Sequence, residues 1–284
     1  MNAAISRAAK IIGEAEAILV TAGAGMGVDS GLPDFRGNEG FWKAYPPYRK
    51  LGRSFVEMAN PDAFASDPTF AWGFYGHRLE LYRKTPPHCG FDRLLNWGRS
   101  KPGGIAVMTS NVDGHFQAAG FDEALLYEVH GSIHHLQCIT SCRERIWPAG
   151  NLDLRVDLET MRAEGTLPRC PDCDAIARPN ILMFGDWNYE GTRNGQQRQR
   201  VERWIDSRKS QVLVILEFGA GTAVPTVRHF SESVSHLGPD IHLIRINPRE
   251  PQVPRPQDLA FPMGALEAIE SIAATGIADN GYLS

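Results

Sequence analysis

Four of the five cysteines in this 284-residue chain form two close pairs: Cys138 and Cys142 in a C-x3-C knuckle, then Cys170 and Cys173 in a C-x2-C knuckle within PRCPDCDA. Four thiolates so spaced complete a closed tetrahedral site, the kind zinc occupies when it holds a fold together and leaves no position for substrate. The paired knuckles and the odd total argue for a metal and against disulfides. His130 stands before a glycine at the end of the apolar run ALLYEV. Imidazole is the side chain poised near neutral pH to take a proton from a hydroxyl, but a lone histidine is more often structural, so chemistry alone does not make His130 a base. His134 and His135 follow closely, but the cysteines already supply four ligands, so neither is read as one. Cys89 falls in a helical stretch and reads as a packed thiol.

A second group of residues suits an anionic ligand. The run AILV leads directly into TAGAGMGVDSGLPDFRG, where Gly23, Gly25 and Gly27 let the backbone turn tightly and approach a pyrophosphate. Taken alone, G-x-G supports only a strand–helix turn. The loop after it carries a carboxylate, a ring and a guanidinium (Asp34, Phe35 and Arg36) in a run with no packing purpose. Ser110, Asn111 and Asp113 follow the run IAVM, at the carboxyl end of a strand, where open sheets bind ligands. Within AWGFYGHRLELYR, Tyr75 and Arg78 share a helix face, and a phenol beside a guanidinium can clamp a small carboxylate.

The elements that must position these residues follow from apolar patterning. AILVTAG, GIAVMTS (104–110), QVLVILEFGAG (211–221) and IHLIRIN (241–247) are continuous apolar runs, as expected of parallel strands buried on both faces. Helical spacing is expected over 4–15, 70–84, 88–99, 194–208 and 226–236. Strands alternating with helices predict an α/β fold: a Rossmann-like, doubly wound parallel sheet with a smaller insert containing a zinc ribbon. The expected organisation is one region over 1–284. Its large part covers about 1–40, 88–136 and 178–284, with a helical insert at 41–87 and a zinc module at 137–177 that has little apolar content and needs something other than a core to hold it. The end, IADNGYLS, reads as a frayed tail. A hydrophobic fraction of 43%, a charged fraction of 22% and a net charge of -4 give no reason to expect nucleic-acid or membrane partners. With no spanning run and no leader-like start, a cytoplasmic location is the default expectation.

GAGMGVDSGLPDFRG resembles the signature of the sirtuin family of NAD-dependent protein deacylases, where GAG and a serine precede SGIPDFRG. The resemblance implies that Gly23, Ala24 and Gly25 pack against the phosphates of NAD, that Asp34 and Phe35 line the nicotinamide end, and that Arg36 contacts the phosphate side. Gly27 stands where the family usually has serine. TSNVDGHFQAAG is similar to the family run TQNID; it implies that Asn111 serves the ribose and Asp113 the nicotinamide carboxamide. Ser110 replaces the usual glutamine, and His115-Phe116 replaces Leu-His, which should swap the side chain facing the core. HGS leading into a cysteine pair matches the catalytic segment, which implies that His130 is the base, and the family's four-cysteine zinc ribbon has C-x2-C where Cys138 and Cys142 are one residue wider apart. ARPNILMFGDWNY resembles RPxVVxFGE, beside which an acyl-lysine peptide adds as a strand, with Ile181, Met183 and Phe184 lining the lysine tunnel. At the adenosine end Gly219 and Val224 match the family's GTS-containing turn, Ala220 and Gly221 replace its hydroxyl pair, and Asn247 corresponds to an asparagine at the adenine ribose. Tyr75 and Arg78 look like the pair class III members use for succinyl- or malonyl-lysine.

The activity implied is NAD-dependent deacylation of protein lysine, releasing nicotinamide, free lysine and O-acyl-ADP-ribose. NAD hydrolysis, ADP-ribosyl transfer to protein, and a non-enzymatic NAD- or peptide-binding module are the alternatives. The altered Ser110, Ala220 and Gly221 fit the first two. Retention of Asn111, Asp113 and His130 weighs against the third. The oligomeric state is not legible in the sequence.

Overall fold

The computed structural model describes residues 2–34 and 37–276; Phe35, Arg36 and the expected tail 277–284 lie outside the described residues. In chain order the strands are β1 (Ala17–Ala22), β2 (Ile105–Thr109), β3 (Leu126–Glu128), β4 (Gly131–Cys138), β5 (Ile146–Pro148), β6 (Arg155–Asp157), β7 (Arg162–Glu164), β8 (Ala177–Ile181), β9 (Leu213–Phe218), β10 (Ile241–Ile246) and β11 (Leu259–Phe261). The α-helices are α1 (Asn2–Glu14), α2 (Gly37–Ala44), α3 (Pro46–Lys50), α4 (Phe55–Met58), α5 (Asp62–Ser66), α6 (Pro68–Lys84), α7 (Cys89–Arg99), α8 (His115–Ala118), α9 (Thr192–Asp206), α10 (Thr226–Ser235) and α11 (Ala265–Ala273).

The four apolar runs form the middle of one parallel sheet of order β11-β10-β9-β1-β2-β3. Every residue of β1 and β9 is buried, because helices cover both sheet faces. Side chains alternate between the faces: Ile18 and Val20 meet Ile5, Ile12, Leu94 and Ile269 on one side. Leu19 and Ile215 meet Val201, Trp204 and Val234 on the other. The sheet is the doubly wound one expected. Its outer strands β3 and β11, three residues each, went unread because so short a run shows no period.

A second core lies beyond the carboxyl edge of the sheet. Helices α2 to α6 bring Phe41, Tyr48, Trp72, Phe74 and Tyr75 against Leu136, Leu154, Met161 and Ile181. The strands here are the antiparallel β5-β4-β8 sheet and the β6-β7 ribbon. The two stretches read as separate inserts therefore share one core, and 137–177 borrows its apolar partners from α6. The Trp72 indole donates to the Ala177 carbonyl at 2.9 Å. Arg162 forks onto Asp67, the N-cap of α6, at 2.6 and 2.7 Å.

Candidate functional site

Cys138 closes β4, and the turn after it is pinned by the Ser141 hydroxyl donating to the Asn188 carbonyl at 3.1 Å. The Ile139 amide donates to Ile176 at 3.1 Å and the Cys170 amide to Ala175 at 2.7 Å, which lays the two knuckles side by side. All four Sγ atoms lie within 4.8 Å of one another. Cys138 with Cys173, and Cys142 with Cys170, are each separated by 3.6 Å. Tetrahedral zinc at about 2.3 Å from sulfur puts its ligands roughly 3.8 Å apart, so this donor set fits zinc. Burial pushes the Cys138 thiol up, but hydrogen bonds from Thr140 and from the Cys142 and Thr140 amides outweigh it and bring the thiol down to about 6. Cys142 is raised to about 12, first by its hydrogen bond to Cys173, then by burial and the other two sulfurs. Four thiolates together need a cation. His134 and His135 stand outside this group. Cys89, expected to be packed, is exposed at the first residue of α7.

A cavity of about 630 Å³ opens between the carboxyl edge of the parallel sheet and the second core. The turns after β1 and β9 form one wall, and they touch backbone to backbone. The Gly25 amide donates to the Gly219 carbonyl at 3.2 Å, and a Cβ at Gly25 would stand 2.6 Å from Gly219 Cα. Gly219 has φ +58, in the left-handed region. These glycines are thus required first by the crossing of two turns; closeness to a ligand follows from it. Gly23, Ala24, Gly27 and Asp34 line the cavity. A smaller one of about 120 Å³ lies between Gly25, Asp34, Gly219 and Arg249. Phe35 and Arg36 lie outside the described residues.

Ser110, Asn111, Asp113 and His130 line the same cavity. The Asn111 side-chain amide donates to the Gly23 carbonyl at 3.0 Å, which ties the β2 turn to the β1 turn. Asp113 is buried and its carboxylate accepts the His115 amide at 2.9 Å. Burial pushes the Asp113 carboxyl up, and the neighbouring His115 partly offsets this. His134 donates Nε2–H to the Asp113 carbonyl at 2.7 Å, a positioning role the sequence did not reveal. His115 and Phe116 are both buried, so the swapped pair turns neither ring to solvent. His130 sits between β3 and β4, where Gly131 has φ +77 and a Cβ would meet the Asn180 carbonyl at 2.1 Å. Burial lowers the His130 imidazole pKa, and a hydrogen bond to the Ser110 backbone returns part of the loss.

The other end of the cavity belongs to the second core. Ile181, Met183 and Phe184 line it, with Phe184 40% exposed at the surface. Their bend is set by a fully buried ion pair: Arg178 donates to Asp186 at 2.7 Å, and the other Asp186 oxygen accepts the Met183 amide at 3.3 Å. The Phe184 amide donates to the Ala59 carbonyl at 2.9 Å, joining this bend to the helical stretch. Tyr75 and Arg78 reach the cavity from α6, as does Tyr82, which no sequence motif marks. The Tyr75 hydroxyl is buried and has no hydrogen-bond partner among the described residues. The guanidinium of Arg78 lies 5.2 to 5.8 Å from the Phe74, Tyr75 and Tyr82 rings.

After β9, Gly219, Ala220, Gly221 and Val224 line the larger cavity. Asn247 is fully buried: its amide donates to Ala220 at 2.7 Å, and its oxygen accepts the Arg249 and Glu250 amides at 3.0 and 3.1 Å. It joins two loops and is absent from both cavity linings. Glu250 accepts from the Thr222 amide at 3.2 Å beside the bare Gly221.

Known proteins share both the sequence pattern and the fold. A NAD-dependent protein deacylase from Thermococcus kodakarensis is 34% identical over 186 residues, which are 64% of this chain and 65% of that relative's length. A relative of the same description from Thermus thermophilus is 27% identical and aligns over 99% of both chains. Among solved structures, a Sir2 homologue in complex with NAD superposes with a TM-score of 0.67 at 24% identity, over 96% of this chain and 94% of its own. The model of the Sir2 family matches residues 23–205, the stretch that holds the β1 turn, the β2 turn, His130 and all four cysteines. The chain belongs to the Sir2 family.

Proposed function

We propose that this chain is an NAD-dependent protein-lysine deacylase with a preference for acyl groups that end in a carboxylate. The observation that carries the reading is one cavity that holds the β1 and β2 turns, His130 and the Tyr75–Arg78 pair together. The curated relatives described as NAD-dependent protein deacylases support it. In this reading Gly23, Ala24, Gly25, Asp34, Ser110, Asn111, Asp113, Gly219 and Gly221 hold NAD, with Asn247 fixing the loops around it and Phe35 and Arg36 as further contacts. When bound, NAD supplies the ribose carbon that accepts the acyl oxygen and the nicotinamide that leaves. The chain's own contribution is positioning in a pocket with little water. Asn111, tied to Gly23, orients the ribose end. Asp113, held by the His115 amide, receives the carboxamide. His130, kept neutral by burial, takes a proton from a ribose hydroxyl. Zinc on Cys138, Cys142, Cys170 and Cys173 is structural, since four sulfurs leave no open position. Residues 41–87 and 137–177 together make up the smaller part of the molecule, around the core they share.

The substrate lysine enters past Phe184 and Met183, and its peptide adds along the stretch after β8. A buried cation beside a phenol with no hydrogen-bond partner among the described residues favours an acyl carboxylate over a bare methyl. The test compares wild type with Arg78→Met on matched succinyl- and acetyl-lysine peptides. Loss of a charged hydrogen-bond donor should lower succinyl kcat/KM about tenfold or more relative to acetyl. Equal losses on both peptides would remove the acyl-carboxylate part of the proposal.

A further inference from the structure

Arg78 does not stand in the cavity on its own flexibility. It is buried on α6, and four residues along the same helix Tyr82 accepts two of its N–H groups, from Nε at 3.0 Å and from Nη2 at 2.6 Å. Both donors meet one phenol oxygen, and Tyr82 itself lines the cavity. A guanidinium has two edges on which a carboxylate can sit side by side with a pair of N–H groups, and the Nε/Nη2 edge is one of them. The phenol occupies that edge. An incoming carboxylate must therefore use the remaining edge or displace Tyr82.

From this geometry we infer that Tyr82 is a positioning residue that sets acyl selectivity through Arg78. The inference rests on the reading that the cavity takes an acyl-lysine. The physical reason is order. A free arginine side chain loses rotamer freedom when it grips a ligand, and Tyr82 removes that freedom before the ligand arrives. Rings of Phe74, Tyr75 and Tyr82 hold the cation within 5.2 to 5.8 Å, and the buried Tyr75 hydroxyl offers a further donor to the same acid. Without the Tyr82 hydroxyl, two N–H groups of a buried cation lose their acceptor. Buried donors are not left unmade at low cost, so the guanidinium would turn toward other oxygen and leave the carboxylate position.

The experiment uses the zinc-loaded full chain at saturating NAD, with succinyl- and acetyl-lysine versions of one peptide, on wild type and Tyr82→Phe. The wild type is expected to prefer succinyl. In Tyr82→Phe the succinyl-to-acetyl ratio of kcat/KM should fall about tenfold, through KM for the succinyl peptide. A parallel loss on both peptides, or an unchanged ratio, would overturn the role of Tyr82 and leave the deacylase reading standing. A wild type with no preference for succinyl would overturn the carboxylate clamp itself, and the inference with it. Should Tyr82→Phe turn over too slowly, the ratio of dissociation constants for the two peptides, measured on His130→Ala with and without Tyr82→Phe, reads the same quantity.

Discussion

At the scale of single residues, the site depends on protons being where the chemistry needs them. Burial lowers the His130 pKa and the Ser110 hydrogen bond partly restores it, so the folded-state value lies below the ordinary imidazole value of about 6.5. The neutral base then persists to lower pH than free imidazole. The acid limb of kcat/KM should have its midpoint below about 6.5. A midpoint at or above that value would contradict the role given to His130. Replacement by alanine should cost about 10² to 10⁴ in rate, with circular dichroism unchanged. His130 was legible in the sequence because HGS precedes a cysteine pair. Tyr82 was not singled out, though 75, 78 and 82 follow the i, i+3, i+7 spacing of one helix face. The helix is buried on several faces, with Trp72, Phe74, Tyr75, Leu79 and Tyr82 all inside, so no polar face marks off the stripe that matters.

At the scale of elements, the strands could be read and their partners could not. Runs buried on both faces leave a plain apolar signature, whereas the three residues of β3, inside the short run ALLYEV, and of β11 show no period that marks a strand. The bend after β8 shows how a stretch that lines the cavity depends on a contact that no period reveals. Arg178 and Asp186 are eight residues apart and both fully buried. Removing one charge from such a pair strands the other, at a cost of about 3–5 kcal/mol. Asp186→Asn should therefore lower the melting temperature and raise KM for the peptide, since the same carboxylate holds the Met183 amide. Differential scanning calorimetry with steady-state kinetics checks both. An unchanged KM in a destabilised variant would separate the bend from substrate binding. The glycines of the β1 turn were recognised from sequence, but their reason was not. Contact with Gly219, nearly two hundred residues later, is visible only once β1 and β9 pair.

At the scale of the whole molecule, two cores face each other across the cavity, and the cysteine cluster steadies the second of them. Zinc analysis should find about one ion per chain on the four thiolates. Cys173→Ser should lower both zinc content and melting temperature, because metal binding at such a site is folding free energy. Activity should fall with them, since Tyr75, Arg78 and Ile181 all belong to the second core or its edge. A chelated protein that kept its melting temperature would contradict a structural zinc. None of the described helices is long and apolar enough to cross a membrane. Whether one cavity joins NAD to an acylated lysine is tested by a single incubation. The chain is mixed with NAD and matched acetyl-, succinyl- and unmodified lysine peptides, and the products are weighed by mass spectrometry. O-acyl-ADP-ribose is expected only with acylated peptide, most of all with succinyl. ADP-ribose formed equally without peptide, or a mass gain on the unmodified peptide, would contradict it.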